Sequence, residues 1–329
     1  MIPVFSGETA NDVWKQAVEK LQYADMTESR SGKTYELLHA VFSIANPRQR
    51  WLTYRSPPIS IAFALAEVVW ILNGSNEAQV INFWNPSLSR YAGDGETYHG
   101  AYGYRIGKRF GMDQLERAYY ILKREPKSRQ AIILIWSPID DLPDTFGKPV
   151  DSDIPCNICS LLKVRSSRLE WTQIIRSNDI YRGVPYNFVQ FTTLQEILAG
   201  WLEIDVGSYT QFSDSLHLYQ SDEEEISITE RGNARNVDVL TLNKPHSDAV
   251  FGDIYYRMKT ISSKAMNRND LVTSAYLNSG YEAYDNIMLI LAAYAARRMG
   301  YKDLKLRFTD SCTNDLFRQM WADWENQGK

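Results

Sequence analysis

Residues 156–188 read CNICSLLKVRSSRLEWTQIIRSNDIYRGVPYNF, and they open with a C-x-x-C pair, Cys156 and Cys159. The segment from Cys159 to Ser177 carries two strand-like runs around the polar turn Arg165 to Arg168, which reads as a β-hairpin. A strand turns successive side chains to opposite faces, so two cysteines three apart point to opposite sides of an extended segment. Such a pair shares neither a metal nor a disulfide. A thioredoxin-type pair needs its second cysteine in a helix, whereas a hairpin follows here. One nucleophilic cysteine remains, or two thiols acting as small buried hydrophobes.

The surrounding composition excludes several classes. The chain has 329 residues, 44% of them hydrophobic, and a formal net charge of −4. That suffices for a large core and leaves no basic footprint for nucleic acid. The acidic run Asp222 to Glu225 reads as a solvated turn. No stretch approaches 18 uninterrupted apolar residues and the N-terminus lacks signal-peptide character, so the expectation is a cytoplasmic protein with no membrane partner. Three cysteines fit a reducing compartment, and four histidines supply no partner motif for zinc, so no metal is expected.

Outward from the hairpin, helical spacing marks Thr9 to Gln22, with Thr9 or Asn11 as cap, and residues 112–124. ISIAFALAEVVWIL, after Pro57-Pro58, is apolar on every side and reads as a buried helix interrupted only by Glu67. ESRSGKTYELLHAVFSI is strand-like, with Arg30 in its entry loop. QAIILIW (130–136) reads as a buried strand, 187–202 as a helix, and YDNIMLILAAYAARRMG (284–300) as a helix beyond a change of character near residue 222.

RSNDIYRGVPYNF (176–188), followed by DSLHLY (214–219) and preceded by Pro155-Cys156, resembles the thymidylate synthase and deoxycytidylate hydroxymethylase superfamily. The order of elements is the same, and upstream it extends to Arg30, Glu67 with Trp70, Trp84, Tyr102-Gly103 and Ser128-Arg129. The resemblance covers roughly residues 5 to 222. It implies an α/β (α+β) fold: a mixed sheet with packed helices, dimerising through the sheet face. Residues 1–222 would form the catalytic domain and 223–329 a mostly helical C-terminal extension packed on it.

The resemblance also implies roles. Cys156 matches the nucleophile that adds to carbon 6 of a pyrimidine nucleoside monophosphate, activating carbon 5 toward a one-carbon unit from 5,10-methylenetetrahydrofolate. A thiol must ionise to attack, so nearby cations, Arg176 first, are expected to lower its pKa. Arg30, Arg176 and Ser177 match phosphate ligands, and Arg129 is expected to reach across from a partner subunit. Glu67 matches the general acid/base, its pKa raised by burial, and Tyr102 assists proton removal from carbon 5. Asn187 matches the reader of the base edge, since a carboxamide can accept from the uracil ring N–H and donate to its 4-oxo group. His217 and Tyr219 match the pair on the sugar hydroxyl. Trp70, Trp84 and Asp179 are expected near the folate, Asp179 also in catalysis. His39, by contrast, reads as a satisfied core histidine.

The chain departs from the family pattern in three places. Gln130 stands where many members have a second arginine, and Asn157 stands where synthases have a histidine after the nucleophile. Synthases also end in a short apolar tail that closes over the folate, whereas here about a hundred residues follow the last motif. Open access of water to the methylene intermediate favours hydroxymethylation over reductive methylation, with dUMP ahead of CMP or dCMP. Thymidylate synthase activity is the second reading, and a catalytically silent nucleotide-binding protein the third.

Overall fold

The computed structural model describes residues 2–29, 32–230, 232, 234–263 and 266–327. Strand β1 (Val4–Gly7) leads into helix α1 (Ala10–Leu21), which starts at a capping box: Thr9 N–H donates to Asp12 Oδ2 at 2.8 Å and Asp12 N–H to Thr9 Oγ1 at 3.3 Å. Strands β2 (Asp25–Ser29) and β3 (Gly32–Ile44) follow, then helix α2 (Ile61–Leu72), capped by Ser60. Helix α3 (Gln114–Arg124) and the short strand β4 (Ile132–Leu134) precede the hairpin of β5 (Asn157–Arg165) and β6 (Arg168–Asp179). Its turn is Ser166-Ser167, both with positive φ, 49° and 55°, as a two-residue hairpin loop requires. Helix α4 (Gly183–Leu202) and strand β7 (Asp205–Tyr219) complete the sheet.

The sheet runs β1-β3-β7-β6-β5-β4, with β2 pairing on β3. It is mixed: β1 lies parallel to β3 and β6 parallel to β7, while the remaining pairs are antiparallel. Helix α4 packs on β6 and β7 and ends at Glu203, in the left-handed region at φ 57°. Behind α4 lies α2, and behind α2 lie the helices after residue 222: α5 (Lys244–Ser263), α6 (Arg268–Ala275), α7 (Glu282–Arg298), α8 (Lys302–Ser311) and α9 (Asp315–Glu325). Helix α2 is therefore covered on one side by α4 and on the other by α5, α7 and α9. This is the physical reason its sequence is apolar all round. One continuous core, from Trp14 and Phe42 through Phe188 to Ile290 and Trp321, joins both parts.

Four expectations need correction. The 130–136 run is an edge strand, with Ile132 47% and Leu134 50% exposed, because β4 has a neighbour on one side only and its outer face is uncovered. Helix α4 begins at Gly183 rather than 187: Asp179 Oδ1 accepts from the N–H groups of Tyr181 and Arg182 and turns the chain directly into it. His39 is not a core residue. It is an exposed residue of β3, at φ 60°, paired through Nδ1 with Asp214 Oδ1 at 2.9 Å. The 222–225 run does hold a turn, but Asp222 itself is buried against Arg182.

Candidate active site

Strands β6 and β7 are parallel, and their carboxyl ends place Ser177 opposite Ser215 and Asp179 opposite His217. Tyr219 follows two residues on, its ring 5.2 Å from that of His217. Sheet order alone thus gathers five residues separated by up to 42 positions. Arg30 lies outside the described residues.

Cys156 immediately precedes β5, and the loop carrying it is held from two sides. Arg176 donates from Nε to Pro155 O and from Nη2 to Ile154 O, both at 3.1 Å, and its backbone N–H reaches Cys156 O at 2.9 Å. Asp153 accepts the Gly100 N–H at 2.7 Å, tying the same loop to the segment that carries Tyr102. Gly103 in turn lies so close to α2 that a Cβ there would sit 2.3 Å from Ile71 O. The Tyr102 loop is therefore seated against the helix that holds Glu67.

Burial pushes the Cys156 thiol up; Arg176 opposes this, and the carboxylates of Asp153 and Asp179 add to it. The net direction is upward, against the expectation of a lowered thiol, because desolvation outweighs one half-buried guanidinium already engaged with backbone carbonyls. Burial raises Glu67 to about 7, with the hydrogen bond from Gln190 Nε2 (2.6 Å) pulling the other way. The Tyr102 hydroxyl is raised by burial and by the charges of Cys156 and Glu67, while its hydrogen bond to Asn157 opposes. Asp179 is raised by burial, against two backbone N–H groups and His217. A buried carboxyl poised near neutrality suits proton transfer.

Asn187 is buried within a chain of amides: Asn157 Nδ2 donates to Asn187 Oδ1 at 3.2 Å, and Asn187 Nδ2 to Asn178 Oδ1 at 3.1 Å. Gly183 makes room for this, since a Cβ there would lie 2.9 Å from Asn178 Oδ1. Trp70 and Trp84 stand apart from the rest. They are 5% and 1% exposed; Trp70 Nε1 donates to Glu77 O at 3.2 Å, and Trp84 packs on Phe83 and on Tyr294 of α7. Neither offers an open face on which a folate ring could stack, and Asp179 spends one oxygen on backbone. Arg129 is exposed just ahead of β4.

Cys159 belongs to a different surface. A register shift between Asn157 and Cys159 resets the alternation, so Cys159 pairs with Ile174 on the sheet face opposite α4, and Ser160 with Gln173 inside. All three cysteines are free thiols. Sequence reasoning missed Gln173, Asn178 and Gln190. Their signal was polar side chains at positions whose strand or helix neighbours are core residues. Among the described residues no group of three or more His, Cys, Asp or Glu could hold a metal, and no helix is long and apolar enough to cross a membrane.

A thymidylate synthase family model matches residues 11–265. A deoxyuridylate hydroxymethyltransferase of Bacillus phage SP01 is 30% identical over 232 residues, 66% of this chain and 59% of the relative. One of the same description from Pseudomonas phage M6 is 31% identical over 196 residues, 59% of this chain and 54% of that one. A putative thymidylate synthase of Methanothermobacter thermautotrophicus is 29% identical over 217 residues, 64% of this chain and 90% of the relative. The chain thus spans little more than half the length of the two phage relatives.

Proposed function

This chain belongs to the thymidylate synthase family, and from that premise we propose that it transfers a one-carbon unit to carbon 5 of a pyrimidine nucleoside monophosphate, dUMP before CMP or dCMP, leaving a hydroxymethyl group. The observation that carries this reading is how the loops are seated: Asp153, three residues before Cys156, accepts the N–H of Gly100, two residues before Tyr102, and Gly103 lies against Ile71 of the helix that holds Glu67. The segments that carry the proposed nucleophile, the assisting hydroxyl and the acid/base are thus tied to one another. A protein that only bound nucleotide has no use for a thiol there.

In the proposed reaction Cys156 loses its proton and its sulfur forms a bond to carbon 6, moving the ring electrons onto carbon 5 and the 4-oxo group. The co-substrate 5,10-methylenetetrahydrofolate supplies the one-carbon unit. Carbon 5 bonds to that unit. Glu67, through Tyr102, then takes the proton from carbon 5 as the bond from the unit to the folate nitrogen breaks and tetrahydrofolate leaves with its pair. Water adds to the exocyclic carbon, giving up a proton, as the carbon 5–carbon 6 double bond re-forms and the sulfur leaves with its bonding pair. Arg176 and Ser177, with Arg30, hold the phosphate, and His217 and Tyr219 the sugar. For the folate contacts of Trp70, Trp84 and Asp179 the geometry offers the least support. The division at residue 222, with catalysis before it and a buttress for α2 after it, belongs to the same proposal, as does a cytoplasmic location.

A homodimer through the open sheet face is part of the reading. Val4, Val41, Phe212, Ile174, Cys159 and Leu134 stand in register across six strands on that face, an apolar row with no cover in the monomer. Arg129 borders it.

Two features favour hydroxymethylation over reductive methylation: Asn157 in place of the synthase histidine, and the description of the two phage relatives. The test supplies dUMP, CMP or dCMP with methylenetetrahydrofolate. Hydroxymethylation returns tetrahydrofolate, whereas methylation leaves dihydrofolate with its higher ultraviolet absorbance. A 5-hydroxymethyl nucleotide by mass spectrometry without that absorbance rise is expected. Stoichiometric dihydrofolate with a methylated product would establish the synthase reading instead, and dUMP binding without turnover the silent one.

A further inference from the structure

Five buried side chains continue the Asn157–Asn187 contact in both directions. Trp171 Nε1 lies 3.1 Å and Ser160 Oγ 2.6 Å from Gln173 Oε1; Gln173 Nε2 lies 2.9 Å from Asn157 Oδ1; beyond Asn187, Asn178 Nδ2 lies 3.0 Å from Ser213 Oγ. Apart from Asn187, which is 6% exposed, all are at most 1% exposed. An amide presents oxygen on one side and N–H on the other, so reversing one member reverses all of them. The two ends differ. Ser213 is a hydroxyl, which donates or accepts equally well, whereas the indole N–H of Trp171 can only donate. The atom facing it must be oxygen, and that choice propagates: Gln173 donates to Asn157, Asn157 to Asn187, Asn187 to Asn178.

We propose that Trp171 and Gln173 are positioning residues for base selection, fixing through Asn157 which way round Asn187 presents its carboxamide. The proposal rests on Asn187 as the base reader. With one lone pair and one N–H already used inside the chain, Asn187 keeps one of each for a ligand. Uracil offers a ring N–H and a 4-oxo acceptor, and cytosine offers the reverse at the same two positions. A freely rotating carboxamide could serve either base by turning over. Here, turning over sets N–H against N–H at Asn157 and oxygen against oxygen at Asn178, among side chains that are all buried. Selectivity thus originates at an indole that never meets the nucleotide.

The test is isosteric. In Gln173→Glu an ionised carboxylate accepts from Trp171, Ser160 and Asn157 alike, so Asn157, Asn187 and Asn178 all reverse and Ser213 donates. The ratio of kcat/KM for dUMP to that for dCMP should fall by at least about 10-fold. Trp171→Phe removes the anchor and should bring the ratio toward one, which keeps the test intact if the glutamate variant fails to fold. Equilibrium binding of dUMP and dCMP to each folded variant gives the same ratio without turnover. An unchanged ratio in the folded variants overturns the proposal. Asn187→Ala separates the two layers: if it abolishes selectivity while the others do not, the amide chain is irrelevant. If it too leaves the ratio unchanged, the base-reader assignment is wrong.

Discussion

Gln190 donates its side-chain N–H to Glu67 Oε2 at 2.6 Å, across the contact between helices α4 and α2, and leaves its own Oε1 buried without a partner. That one hydrogen bond works against the burial that raises Glu67 to about 7. Oε1 is also the atom that could accept from Glu67 once the carboxyl is protonated, so one amide can serve both protonation states by turning over.

Gln190→Leu removes the donor that stabilises the carboxylate, so the Glu67 pKa moves further up. A base must be ionised to take a proton. The rising limb of kcat against pH, expected near pH 7 in the parent, should therefore shift to more alkaline values. A pH–rate series on both proteins checks this, and an unmoved limb means another group controls it.

Glu67→Gln should bind nucleotide much as before and turn over roughly 10²-fold more slowly, the usual contribution of a positioned acid/base group. Separate measurement of Kd and kcat distinguishes this from a packing defect, in which both would deteriorate together.

Gly103→Ala places a Cβ 2.3 Å from the Ile71 carbonyl oxygen, and neither backbone can yield cheaply. A loss of about 1–3 kcal/mol of stability by denaturant titration is expected, typical of an overpacked contact. Turnover should fall as well, because Tyr102 moves with its neighbour. Full activity in the folded variant would show that the seat of Tyr102 against α2 does not matter.

Phe212→Asp puts a charge at the centre of the apolar row on the open sheet face. Sedimentation velocity should give a dimer for the parent and a monomer for the variant. Arg129→Ala and Cys156→Ser should each be inactive alone and recover activity when mixed, because a hybrid dimer contains one site with both side chains. Failure to recover would place Arg129 within its own subunit.

Several elements follow from residue order alone. The capping box of Thr9 and Asp12, the two-residue turn at Ser166-Ser167 and the apolar run of α2 are local signals, because neighbouring residues supply the interactions that set them. The single carboxylate in α2 and the thiol beside a proline were likewise visible as anomalies. The family was legible in the order of short motifs from Glu67 to Tyr219.

The tertiary structure decided what no window of sequence contains. Whether Cys156 is raised or lowered depends on how much desolvation Arg176 must overcome, and that is set by packing of the whole loop. The register shift after Asn157 sends Cys159 to the open sheet face, although simple alternation already separated it from Cys156. Trp70 and Trp84 read as platforms for the folate, and only the helices beyond residue 222 reveal how thoroughly they are covered. The amide chain from Trp171 to Ser213 joins residues up to 56 positions apart, on three strands and a helix. Its direction is a property of hydrogen-bond donors and acceptors meeting in space, which sequence spacing does not encode.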